Sequence, residues 1–150
     1  MARIEWTEDL NTGIDEIDQQ HQRIVDYINA LDDARKKDDI KKIAQVLDDT
    51  VDYTISHFGF EESMLEDAGY NLLRPHKKVH ELFIKRISDM QKRFKAGEDV
   101  SQELHNLLGR WLIGHIKHDD YAYRDCVKKY LKIDDRTSQK KTWMERFFGL

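Results

Sequence analysis

Apolar and histidine side chains recur at alternating steps of three and four along four successive stretches of this chain, and few folds satisfy that spacing. Ile17, His21, Ile24, Ile28 and Leu31 predict a first helix over residues 18–37. Ile43, Leu47, Thr50, Thr54, His57, Glu61 and Met64 predict a second over 40–66. Leu73, His76, His80, Phe83, Ile87, Met90 and Phe94 predict a third over 73–95, and Val100, Leu104, Leu108, Trp111 and His115 open a fourth over 100–130. Each set lies on one helix face, which must be buried against the others. The interruptions fall between these stretches: Lys36 to Asp39, Gly69 with Pro75 in the first turn of the third helix, and Gly97 before Ser101. Short loops between long helices force antiparallel neighbours. The expected architecture is all-α, an up-down-up-down antiparallel four-helix bundle over residues 1–131. Residues 132–150 are expected to form a polar hinge and a short extra amphipathic C-terminal helix.

Composition narrows the function. One proline and seven glycines in 150 residues leave little material for the tight turns of an all-β fold. With 25 Lys and Arg against 29 Asp and Glu, no basic excess marks a nucleic-acid binder. The longest apolar runs are a few residues, so no transmembrane span is expected. Acidic residues stand near the N-terminus where a signal peptide needs an apolar stretch. The single cysteine, Cys126, excludes an internal disulfide framework and suits a reducing compartment. A cytoplasmic protein is expected, with Cys126 as a small buried residue on the face of His115.

The core stripes carry histidines and a glutamate where leucines are the rule. His21 is on the first helix, His57 and Glu61 on the second, His76 and His80 on the third, and His115 on the fourth. In an antiparallel bundle the starts of helices one and three lie beside the ends of helices two and four. At about 1.5 Å per residue from the second loop, Glu61 and His80 each lie roughly 12 Å into the bundle. Six polar side chains therefore converge at one level. Buried unpaired they would cost several kcal/mol, which a bound metal relieves.

Five imidazoles exceed what one zinc site uses, and two metals bridged by carboxylates fit better. Asp119 or Asp120 supplies a second carboxylate. Two six-coordinate ions offer twelve positions. Five histidines, two bridging carboxylates and one bridging oxygen fill eleven, leaving one open for a small ligand.

These residues make the chain resemble the hemerythrin family. The resemblance rests on Gly13-Ile14-Asp15-Glu16-Ile17-Asp18-Gln19-Gln20-His21, His57-Phe58-Gly59-Phe60-Glu61-Glu62, Met64, Gly69-Tyr70, His76-Lys77-Lys78-Val79-His80 and the segment from Trp111 to Asp120. It implies a non-haem di-iron centre, two oxo- or hydroxo-bridged iron ions, that binds O2 reversibly in a carrier or store rather than an enzyme. By that likeness His76, His80 and His115 hold one iron, His21 and His57 hold the other with its open position, and Glu61 and Asp120 bridge them. Five residues turn about 500° on an ideal helix, which leaves Asp120 some 140° from His115. A bulge, kink or underwinding is therefore expected between them; a regular helix would make Asp119 the better ligand.

Ile24, Phe58, Trp111, Leu112 and Ile116 adjoin the ligands and are expected to keep the O2 pocket dry. Tyr123 is placed as a hydrogen-bonding group near the bridge. His105 and His118, outside the motif, are expected on the surface. Trp143, Phe147 and Phe148 of the tail offer a contact for a protein partner or a membrane surface. The alternatives to a carrier are an O2 or redox sensor signalling through that tail, and a di-iron redox enzyme acting on peroxide, nitric oxide or ferrous iron.

Overall fold

The structure, a computed structural model, describes residues 3–132. The expected hinge and tail, with Trp143, Phe147 and Phe148, lie outside the described residues. Four long helical rods follow a single turn of 3-10 helix at Glu8–Leu10. They are α1 (Asp15–Lys36), α2 (Ile40–Asp67), α3 (Leu73–Lys95), and a fourth rod made of α4 (Ser101–His115), a π-helical segment (Ile116–Asp120) and α5 (Tyr121–Leu131). Backbone angles stay right-handed helical through both junctions of that rod, at Ile116 and at Tyr121. No helix among the described residues is long and apolar enough to cross a membrane.

Helix ends are set by local chemistry. Gly69 and Gly97 adopt positive φ, +68° and +99°. The following amide then reaches back to close the last turn, Tyr70 N–H to the Leu65 carbonyl and Glu98 N–H to that of Arg93, both at 3.0 Å. Asp38 does the same for α1 at φ 49°. The Asp39 carboxylate accepts the Lys42 amide at the start of α2. These closures leave three short loops, so consecutive rods run antiparallel as an up-down-up-down bundle, with α1 packed on both α2 and the fourth rod.

The apolar core is divided in two. The larger cluster includes Ile24, Ile28, Leu31, Leu47, Phe58, Phe83, Leu108, Leu112 and Ile116. The smaller gathers Ile14, Ile17, Phe60, Met64, Leu65, Tyr70, Tyr123, Val127 and Leu131 at the end where α1 and α3 begin. Between them runs a buried polar layer holding all seven expected ligand residues.

Two expectations about side chains are corrected. His105 is buried, because Leu104, His105 and Leu108 together face inward where α4 packs on its neighbours. His118 is exposed as expected. Cys126 is half-buried with its thiol 3.6 Å from the Ala68 carbonyl. The π segment shifts the buried stripe by one residue, and Val127 takes the core position expected for Cys126.

The loop before α1 is held by one carboxylate. Asp18 accepts from Thr12 N–H at 2.7 Å, Thr12 Oγ1 at 2.8 Å and Gly13 N–H at 3.0 Å. Asp18→Ala strands these donors, two of them on buried Thr12, and is expected to cost about 1–3 kcal/mol in urea-unfolding stability.

Candidate metal centre

Every helical rod contributes to the polar layer. α1 presents His21, α2 His57 and Glu61, α3 His76 and His80, and the fourth rod His115 and Asp120. His21, Glu61, His80 and Asp120 are fully buried. The i,i+4 pairs His57/Glu61 and His76/His80 meet on one face because four residues turn about 400°.

His115 and Asp120 are five apart, and the π segment between them reconciles this spacing with a common face. It absorbs one residue. His115, Asp120, Tyr123, Val127 and Leu131 then lie as if spaced at steps of four, three, four and four, and all five are buried. The expected distortion of the helix is present. Asp119, the alternative carboxylate, points outward with its side chain 45% exposed and binds His115 from outside at 2.8 Å.

The carboxylates divide their oxygens. On one side, Glu61 Oε1 lies 2.6 Å from His76 Nε2 and 3.1 Å from His80 Nε2, while Asp120 Oδ1 lies 2.9 Å from His115 Nε2 and 3.2 Å from His76 Nε2. On the other, Asp120 Oδ2 lies 3.0 Å from His21 Nε2, and Glu61 Oε2 lies 3.4 Å from His57 Nε2 and 3.7 Å from His21 Nε2. Two sets result, Glu61-His76-His80-His115-Asp120 and His21-His57-Glu61-Asp120, the donor atoms of each within 4.8 Å of one another.

Three imidazoles are oriented from behind. His57 Nδ1–H donates to Gln20 Oε1 at 2.7 Å, His80 Nδ1–H to Glu62 Oε2 at 2.8 Å, and His115 Nδ1–H to Asp119 Oδ2 at 2.8 Å. Donation at Nδ1 leaves the Nε2 lone pair facing the centre, as a metal ligand requires. Nε2 of His80 and Nε2 of His115 face each other at 3.1 Å. Nε2 of His21 and of His57 and both Asp120 oxygens are buried without a hydrogen-bond partner. Inward lone pairs and orphaned polar atoms fit a cation between them.

The electrostatics agree. Burial opposes charge on His21 and His76, but Asp120 and Glu61 hold both pKa values up at about 9. Burial likewise opposes His115, which Asp120 and Asp119 raise to about 12. Burial, helped by the neighbouring His21 and His80 and opposed by Glu61 and Asp120, pushes His57 down to about 3. Burial also disfavours charge on Glu61 and Asp120, yet the surrounding imidazoles hold both below the ordinary carboxylate range. Without metal, the cluster takes up protons as substitute cations.

Ile24, Phe58, Leu112 and Ile116 are buried in the larger apolar cluster. Phe58 stacks on His80 at 3.8 Å, and partly buried Trp111 stacks on His115 at 4.5 Å. Tyr123 O–H donates to Glu61 Oε2 at 3.0 Å. The sequence reading missed Gln20, Glu62 and the supporting role of Asp119. Their signal was adjacency: each is one residue from a candidate ligand, and Asp119 is also four from His115. Trp6 was missed too, its ring 6.4 Å from that of His21. It sits on the arm before α1, where no helical period reaches it.

Comparison with known proteins gives consistent findings. The family model described as "Hemerythrin HHE cation binding domain" matches residues 12–125. The chain is 50% identical over 153 residues to a bacteriohemerythrin of Pseudomonas paraeruginosa, covering 99% of this chain and 100% of that one. It is 48% identical to a bacteriohemerythrin of Stenotrophomonas maltophilia with the same coverage. A crystal structure of wild-type hemerythrin is similar with a TM-score of 0.80 and 32% identity, covering 84% of this chain and 98% of that one.

Two outcomes are expected. In the metal-free chain His21 and His76 bind protons more tightly folded, at about 9, than unfolded, at 6.5. Their stabilisation is complete below the unfolded value and is lost as pH rises through the folded one. Urea unfolding of chelator-treated protein should therefore weaken from neutral pH to about 10, and metal-loaded protein should not follow. The helical phase is tested by length: deleting exposed His118 should preserve fold and metal content. One Ala inserted after Lys117 turns Tyr123, Val127 and Leu131 out of the core by about 100°. That insertion should cost more than about 3 kcal/mol and abolish metal retention.

Proposed function

This chain belongs to the hemerythrin family, and on that premise we propose that its buried cluster holds two iron ions and binds O2 reversibly, as an oxygen carrier or store. The observation that carries this reading is the division of both carboxylates, one oxygen of each toward the three-imidazole group and the other toward the two-imidazole group. Carboxylates so divided suit bridging between two cations. The iron pair, when bound, supplies the electrons that reversible O2 binding requires.

The chain's own residues do the rest. His76, His80 and His115 with Glu61 Oε1 and Asp120 Oδ1 offer five donors, whereas His21 and His57 with Glu61 Oε2 and Asp120 Oδ2 offer four. The smaller set keeps room for an exogenous ligand. Gln20, Glu62 and Asp119 fix three imidazole tautomers from outside. Tyr123 holds a proton against Glu61 Oε2, and burial with the neighbouring carboxylates keeps its phenol far above its ordinary pKa. Ile24, Phe58, Leu112, Ile116 and Trp111 exclude water, which a reversible site needs to avoid oxidative loss. Binding without turnover of a substrate is the reading these residues support, and enzymatic roles are not needed to account for them.

The test is an anaerobically reduced sample exposed to air, with iron counted per chain. Two irons, and visible charge-transfer absorption that appears with O2 and disappears on its removal, are expected. Irreversible conversion to the ferric state would overturn the carrier reading, and a single metal per chain would overturn the paired site.

A further inference from the structure

The buried layer is not equally covered on all sides. Of its seven residues His76 and His115 are among the least buried, 5% and 3% exposed against 0% for His21, Glu61, His80 and Asp120. A cleft of about 130 Å³ reaches this flank, lined by Tyr70, Leu72, Pro75, His76, Val79, Asp119 and Ala122. Its floor includes His76, and its wall carries the half-exposed carboxylate that also holds His115 Nδ1–H at 2.8 Å. On the side of the larger apolar cluster, Ile24, Phe58, Leu112 and Ile116 are buried as apolar cover.

A cation cannot cross an apolar wall unaccompanied, because stripping its water there costs far more than any local motion. The cleft relieves this in two ways. At about 10–15 Å³ of such space per water, it has room for several waters around an ion. The other lining side chains around Asp119 and His76 are apolar or aromatic, so the ion meets one anionic oxygen at the wall and one imidazole at the floor. The same Asp119 adjoins Asp120, the next oxygen donor inward.

We propose that this cleft is the loading route for the centre, through which a hydrated divalent cation meets Asp119 at the wall and passes inward past His76. This rests on the metal-holding reading of the cluster, and it concerns the path of the ion rather than its final ligands. Exchange is a ligand substitution in which water leaves the ion as carboxylate and imidazole replace it. No redox step is involved. By microscopic reversibility the same path serves release.

Two variants of the full chain test this without touching the seven cluster residues. Ala122→Trp fills the mouth from an exposed helix position. Asp119→Asn keeps an oxygen acceptor for His115 and removes the anionic charge. Gln22→Trp, exposed on α1 beside His21, serves as a bulk control away from the cleft. Metal-free protein is mixed anaerobically with Fe(II), or with Co(II), whose visible absorption reports arrival at imidazoles, and release to a chelator is followed separately. Thermal unfolding first verifies that each variant is folded. Ala122→Trp should slow both uptake and release by about tenfold while final metal per chain is unchanged, since a barrier raised on one shared path slows both directions by the same factor. Asp119→Asn should slow uptake, and Gln22→Trp should do neither. Uptake and release at the parent rate in Ala122→Trp would overturn the proposal. Lowered final metal content with unslowed uptake would also overturn it, assigning these residues to site geometry. If the parent binds Co(II) but not two Fe(II), the iron-pair reading falls while the Co(II) rates still decide the route.

Discussion

A layer of five imidazoles and two carboxylates crosses the interior of this bundle, and the rest of the fold is arranged around it. Such a layer is unfavourable in an apolar core unless its charges and lone pairs find partners. Here they find one another in part, with Nε2 atoms pointed at Glu61 and Asp120 and with His80 and His115 nearly in contact, while Nε2 of His21 and of His57 lack a hydrogen-bond partner. The apolar core cannot run through the layer, so it forms two clusters, one on each side. Folding of the metal-free chain therefore depends on protons where the loaded chain uses cations, and metal binding is coupled to stability.

The same constraint explains the irregular fourth rod. A plain α-helix serves three of the four rods because their cluster residues are spaced at four or occur singly. On the fourth, His115 and Asp120 are five apart, and the apolar stripe beyond them must still face the smaller cluster. One π segment meets both needs, at the cost of poorer helical hydrogen bonding over a single turn. It also turns Asp119 outward, where the carboxylate orients His115 and borders the cleft. A local defect thus supplies, from adjacent residues, one carboxylate to the buried cluster and another that orients His115.

Support around the cluster is asymmetric. Apolar and aromatic side chains close the flank toward the larger cluster, where Phe58 and Trp111 stack directly on imidazoles. Polar groups orient the rings from behind. Where α3 begins beside the π segment the cover thins to a cleft.

The sequence by itself determined the rods and their faces. Steps of three and four placed Ile17 to Leu31, or Leu73 to Phe94, on single stripes, and the breaks at Lys36 to Asp39, Gly69 and Gly97 ended the helices within a residue or two. It also determined which stripe positions carry imidazole, while the choice between Asp119 on a regular helix four and Asp120 on a distorted one came from the family likeness. These are short-range properties, fixed by a helical period that holds wherever the chain sits. Tertiary structure decided the rest. The pairing of carboxylate oxygens with imidazoles, the burial of His105, the replacement of Cys126 by Val127 in the core, the approach of Trp6 to His21 and the cleft beside Asp119 all depend on how far each rod is rotated and slid against its neighbours. Those offsets follow from side-chain packing between residues distant in sequence, which no period along one helix contains.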